Sequence, residues 1–143
     1  MQFKYILFIL FIPFYACTQQ KVESNSYSVM LQSLLSHSVD EVQVNEINTN
    51  ANNFVFLDAR EKEEYDISHL KNAVWVGYDD FNIERANEIN KTDSIIVYCS
   101  VGYRSEKVAE KLIANGFKNV SNLYGGIFEW KNQDKTVVNN NGC

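Results

Sequence analysis

Basic residues are in short supply in this 143-residue chain. Its 13 Lys and Arg side chains stand against 18 Asp and Glu, for a formal net charge of −5. No basic stripe interrupts that balance, which argues against nucleic acid as a partner. Histidine is rarer still. Of the two, His37 and His69, the first is read on a surface helix with no partner at metal-ligand spacing, so no metal is expected. Internal repeats and long low-complexity tracts are absent, which leaves a length suited to one domain with a sizeable core. No apolar run is long enough to cross a bilayer, which takes about 20 residues. The longest, residues 5–15, falls well short of that. Cysteine is sparse and odd in number, at Cys17, Cys99 and Cys143, so the three cannot all pair with one another.

What is present gathers around Cys99. The run Ile95-Ile96-Val97-Tyr98 is β-branched and aromatic, as a buried strand requires. Beyond it Val108, Ala109, Leu112 and Ile113 share one helical face, with Ser105 expected to cap the start and Glu106 suited to the positive end of the helix dipole. Asn115-Gly116 should end that helix, with Phe117 packing back on Leu112. Cys99 therefore opens a tight loop between a strand end and a helix start. Unpaired N–H groups at such a place attract anions and favour a thiolate over a thiol. Gly102 permits the dihedrals of a short loop. Arg104 adds a planar donor fork suited to a sulfonate, sulfate or phosphate group. Ser100, Val101, Gly102, Tyr103, Arg104 and Ser105 are thus candidate substrate-binding residues around a nucleophilic Cys99. The plain alternative is a buried cysteine beside a surface arginine.

The loop and two further segments together resemble the rhodanese family of sulfurtransferases. Upstream are Leu57-Asp58-Ala59-Arg60, Glu64-Tyr65 and Ser68-His69-Leu70-Lys71-Asn72-Ala73. Downstream is Gly125-Gly126-Ile127-Phe128-Glu129-Trp130. The likeness spans roughly residues 39–131, with the three motifs in the family's order. It implies a single α/β, rhodanese-like domain with a central parallel sheet flanked by helices. Strand-forming runs at 39–44, 54–57, 74–76, 95–98 and 120–123 give five strands. An amphipathic helix with Tyr27, Leu31, Leu34 and Leu35 precedes them. The resemblance implies a Cys99 that takes sulfane sulfur as a persulfide and passes it on, with no metal or organic cofactor. Partners would be a small sulfur-containing donor and a thiol or cyanide-type acceptor. Asp58 and Arg60 would pair with each other or with backbone groups to shape the sheet edge, and His69 would pack and hydrogen-bond. Trp75 and Trp130 read as core or lid packing.

Protein tyrosine phosphatases and arsenate reductases also use a Cys-to-Arg loop, but with five intervening residues. Here four separate Cys99 from Arg104. A tighter ring of donors suits a terminal sulfur better than a tetrahedral phosphate. Ser100 and Val101 are neutral, leaving Arg104 as the loop's single cation, so thiosulfate should be a modest donor beside polysulfides or persulfides. A persulfide carrier or sensor without fast turnover is the alternative to an enzyme.

At the amino end, Lys4 and the apolar run 5–15 match a secretory signal, and Phe14-Tyr15-Ala16-Cys17 resembles a bacterial lipobox. The expected organisation is a lipoprotein-type signal peptide over 1–16, a tether over 17–25, the domain over 26–131 and a flexible tail over 132–143. Cys17 would carry lipid, anchoring the protein in the bacterial cell envelope on its periplasmic or extracellular side. Cys143 then remains, either incidental or a thiol that resolves a Cys99 persulfide.

Overall fold

The structure, a computed structural model, describes Val22 and residues 24–48 and 54–140. The expected signal segment, Cys17 and Cys143 lie outside the described residues. Five strands form one sheet: β1 (Asp40–Val42), β2 (Val55–Asp58), β3 (Val74–Trp75), β4 (Ser94–Tyr98) and β5 (Asn119–Leu123). Their order is β1-β5-β4-β2-β3 and every pairing is parallel. The helices are α1 (Asn25–Leu34), α2 (Lys62–Ile67), α3 (Tyr103–Ala114) and α4 (Gly126–Asn132). This is the five-stranded parallel α/β architecture expected from the sequence.

Strand β4 lies at the centre of the sheet and is buried on both faces. Ile95, Val97 and Cys99 join a core with Leu57 and with Val108, Ala109 and Leu112 of α3. Ile96 and Tyr98 join the opposite core with Ile127 and Trp130 of α4. That is the period-2 alternation of a covered strand. Cys99, one residue past the strand, continues it and so falls on the α3 side. The chain leaves β2 towards β3 and leaves β4 towards β5, in opposite directions across the sheet. The β2–β4 pair therefore forms a topological switch point, where α/β sheets hold ligands beyond the carboxyl ends of their strands. Asp58 closes β2 opposite Tyr98, and Cys99 follows directly.

Helix α3 ends in a Schellman motif. Gly116 (φ 93) donates to Ile113 O at 2.9 Å and Phe117 to Leu112 O at 3.2 Å, with Phe117 buried in the Leu112 core. Elsewhere the structure departs from the sequence reading. Leu34 and Ile113, placed on buried helical faces, are 39% and 44% exposed, so both apolar stripes are narrower than read. The first strand stops at Val42, because Gln43 and Glu46 close a capping box around a 3₁₀ turn, Gln43 N–H donating to Glu46 Oε2 at 2.7 Å. His37 lies beyond α1 rather than on it, in a left-handed conformation (φ 52), with Nδ1 3.1 Å from Glu41 Oε1.

Both ends of the domain extend past their expected limits. Val22, placed in the tether, is 2% exposed and packs with Leu31, Leu35 and Tyr124. The tail placed from residue 132 is bound as far as Asn140. Val138 and His69 exchange backbone hydrogen bonds at 2.7 and 2.8 Å, Trp130 Nε1 donates to Thr136 O at 3.0 Å, and Asn140 Nδ2 donates to Asp66 at 2.8 Å. The apolar Trp130 and Val137 on the second core give that segment something to pack on. Among the described residues no helix is long and apolar enough to cross a membrane.

Candidate active site

Cys99 is 1% exposed, and its Sγ accepts a hydrogen bond from Gly102 N–H at 3.1 Å. The loop reaches this closeness because Gly102 takes φ 117, a region that L side chains rarely adopt. Gly102 is also the N-cap of α3. The helix thus starts earlier than a Ser105 cap implies, and Ser105 is buried within its first turn. There Ser105 Oγ donates to Asn122 Oδ1 at 2.6 Å, while Asn122 Nδ2 donates to Gly102 O at 3.0 Å. A fully buried amide on β5 therefore fastens the loop–helix junction. Glu106 stands in the same first turn. It is buried and accepts from Ser36 N–H (3.0 Å) and Ser38 N–H (2.9 Å), which ties the α1–β1 turn to α3.

The other side of the loop rests on α4. Ile127 N–H donates to Cys99 O at 2.9 Å and Phe128 N–H to Ser100 O at 3.2 Å. Two unsatisfied donors of a helix start are thereby matched to two loop carbonyls. This is why a Gly-Gly pair opens α4, Gly125 as its N-cap and Gly126 as its first residue. Gly126 has φ 58, and a Cβ there would lie 2.6 Å from Ser100 C and O and closer still to Cys99 O. Helix α1 covers a third side, with Val101 packed against Leu31, Leu35, Val22 and Tyr124. Tyr27 Oη donates to Gly125 O at 2.7 Å. Burial holds the Tyr27 phenol well above its ordinary range, and Glu129, Cys99 and Tyr124 push the same way.

Arg104, in the first turn of α3, is not an open fork. Its Nη1 donates to Glu64 Oε2 at 2.8 Å and its Nη2 to Glu64 Oε1 at 3.1 Å. Ser100 Oγ closes the triangle, accepting from Nη2 at 2.9 Å and donating to Glu64 Oε1 at 3.1 Å. Glu61 Oε1 lies 3.6 Å from Nη1. Glu64 holds the Arg104 guanidinium above its usual range and the neighbouring Cys99 side chain adds to this, while burial opposes both. Burial pushes the Glu64 carboxyl up, but Arg104, the Glu61 N–H and Ser100 together outweigh it and leave it lowered. Tyr103 opens α3 and is 41% exposed.

At the neighbouring strand end, Asp58 and Arg60 form a buried pair, with Arg60 Nε 3.0 Å from Oδ1 and Nη2 2.5 Å from Oδ2. Arg60 Nη2 also donates to Ser68 O at 2.6 Å, and Trp75 Nε1 donates to Arg60 O at 2.8 Å. The pair thus joins the β2 end to the segment carrying His69, whose ring stacks on Tyr65 at 4.0 Å. Both Asp58 carboxylate oxygens are committed to Arg60. Trp130 is core and Trp75 is half-buried at its edge. Sequence reasoning missed Asn122 and the grip of Glu64 on Arg104. A polar residue in the otherwise apolar end of the run Val120–Leu123 was a signal for the first. Nothing local marks the second, because its partners are 40 residues apart.

A sequence model described as the rhodanese-like domain matches residues 41–133. Among curated proteins, the tRNA uridine(34) hydroxylase of Photorhabdus laumondii is 37% identical over 93 residues, which are 62% of this chain and 26% of that protein. The Yersinia enterocolitica protein of the same name is 32% identical over 72% of this chain and 31% of its own length. The chain thus spans about a quarter to a third of these relatives. Among solved structures, a rhodanese-like domain protein from Staphylococcus aureus has a TM-score of 0.57 at 28% identity, covering 64% of this chain and 90% of that one. A thiosulfate sulfurtransferase from Pseudomonas aeruginosa shares the fold, with a TM-score of 0.63 at 20% identity over 71% of this chain and 20% of that one.

Proposed function

The chain belongs to the rhodanese-like domain family, and on that premise we propose that it transfers sulfane sulfur through a persulfide on Cys99. The observation that carries the reading is the placement of Cys99 Sγ beyond the central strand, at the switch point, receiving the Gly102 N–H at 3.1 Å. The Cys99 thiolate attacks the outer sulfur of the donor. An S–S bond forms at Sγ as the donor's own S–S bond breaks, and that electron pair leaves with sulfite from thiosulfate or with a thiolate from a persulfide. An acceptor thiolate or cyanide then attacks the same outer sulfur and frees the Cys99 thiolate. Each displacement is balanced without an added oxidant or reductant. The engagement of Arg104 by Glu64 disfavours a phosphatase or arsenate reductase, which would present that fork to a tetrahedral anion. A persulfide carrier without fast turnover differs only in the second displacement, and the 1% exposure of Cys99 is the observation in its favour.

The test is intact mass measurement after incubation with sulfane donors, in the full chain with Cys17 and Cys143 replaced by serine. The protein should gain one sulfur, and Cys99→Ser should gain none. Absence of the gain with every sulfane donor, or its survival in Cys99→Ser, refutes the proposal. Turnover with cyanide or small thiols separates the enzyme from the carrier. We also propose the envelope address, supported by the apolar run 5–15 and the Ala16-Cys17 pair. Cys17→Ala should then lose the lipid mass and leave the membrane fraction.

A further inference from the structure

The loop offers a donor one cationic side chain, Arg104, and both of its terminal nitrogens already face the two carboxylate oxygens of Glu64. A sulfonate or carboxylate on a donor would seek those same two nitrogens. To reach them it must displace Glu64, and it then lies against the displaced carboxylate. Glu61 adds a second negative group 3.6 Å from Nη1. The Glu61 carboxyl is raised, first by burial and then by Asp79, with Asp80 and Glu64 adding and Arg104 opposing, so further carboxylates stand near it. Asp80 is itself held by Arg85 at 2.9 Å. At Arg104 itself two carboxylates, Glu61 and Glu64, face a single guanidinium.

We propose that Glu64 is a specificity-determining residue of the sulfur-transfer site. It withholds Arg104 from the donor, so that the site selects persulfides whose carrier bears a positive charge over thiosulfate and over carboxylate-bearing persulfides. The inference rests on sulfur transfer at Cys99. The step is R–S–S⁻ plus the Cys99 thiolate giving the Cys99 persulfide anion plus R–S⁻, in which the outer sulfur changes partner and one S–S bond replaces another. Selection acts on R, which lies over the acidic rim while the sulfur reaches Sγ. The rim favours a cationic R by attraction and resists an anionic R by repulsion.

Three persulfides on one short skeleton, 2-aminoethyl, 2-hydroxyethyl and 2-carboxyethyl, together with thiosulfate, provide the probe. The full chain with Cys17 and Cys143 replaced by serine is reacted with each, quenched and weighed. The persulfidation rate should fall from amine to hydroxyl to carboxylate, by about tenfold across the series, a typical size for charge complementarity near a site. Glu64→Gln should compress that series to about twofold and speed the thiosulfate reaction about tenfold. Added salt should compress the wild-type series as well, which a purely structural role for Glu64 would not produce. Equal rates in the wild type, or an unchanged order in Glu64→Gln, overturn the proposal while leaving sulfur transfer standing. If no donor loads Cys99, the underlying reading has failed instead. Should Glu64→Gln not fold, Glu61→Gln carries the same comparison, and an uncompressed series there counts against the idea.

Discussion

Two arginines stand near the carboxyl ends of adjacent strands, each gripped by a carboxylate, and they serve opposite ends. Arg60 beyond β2 is paired with Asp58 two residues away, with side chains 6% and 0% exposed. Arg104 beyond β4 is paired with Glu64 on α2, with side chains 24% and 36% exposed. The first pair is also bonded to the Ser68 carbonyl and sits under Tyr98, its guanidinium carbon 5.7 Å from that ring centre. The second touches the Ser100 hydroxyl and bears on the Cys99 side chain. One chemical motif thus acts as a rivet where water is excluded and as an adjustable charge where it is not. Burial, rather than the identity of the pair, separates scaffold from site.

The sharpest way to break this comparison is to cut the rivet. Asp58→Ala strands a buried guanidinium, and removing one member of a buried pair typically costs about 3–5 kcal/mol. The urea midpoint should fall accordingly, while protein that remains folded still takes up one sulfur at Cys99. An unchanged midpoint would mean that the Asp58–Arg60 pair is no more structural than its partly exposed counterpart.

The next largest effect falls on the junction between the Cys99 loop and α4. Gly126→Ala forces φ 58 on an L side chain and presses a methyl group against the carbonyls of Cys99 and Ser100. Those are backbone atoms that cannot swing aside. A loss on the order of 3 kcal/mol is expected from strain and overpacking together. Unlike Asp58→Ala, it should also slow Cys99 persulfidation in the folded protein, because the displaced group is the loop itself. Equal stability loss without a change in rate would show that α4 supports the fold and not the loop.

This contrast also explains which parts were legible in sequence. The β2 rivet lies within Leu57-Asp58-Ala59-Arg60, and strand β4 with its Cys99 loop lies within eleven residues, so local pattern sufficed for both. The Schellman ending at Gly116-Phe117 was legible for the same reason. The grip of Glu64 on Arg104, the clasp of Asn122 on Gly102 and the docking of Gly126 under Cys99 each join elements distant in the chain. Periodicity cannot report such pairings, because they exist only once the parallel sheet has brought its strand ends together. Glu106 shows the same limit: its place in the first helical turn, suited to the helix dipole, was legible, but its capture by two backbone N–H groups of a distant turn was not.

The smallest effect on stability, and the one that sharpens the contrast most, belongs to the adjustable pair. Glu64→Gln keeps a side chain able to serve the α2 capping box, whose Glu61 N–H donates to Glu64 Oε2 at 3.2 Å, and removes only the charge. For a pair this open to solvent the cost should be about 1 kcal/mol or less near neutral pH, and smaller still in high salt. The Glu64 carboxyl is held below its ordinary 4.5 in the folded protein despite its burial, so the unfolded chain takes up its proton first as the pH falls. Its contribution is therefore fully present above about pH 4.5 and is lost as the pH drops through the folded value. Urea midpoints of wild type and Glu64→Gln should differ slightly at neutral pH and converge in acid. A gap that stayed constant into acid, or one as large as that of Asp58→Ala, would make Glu64–Arg104 a second rivet and remove the distinction between the two strand ends.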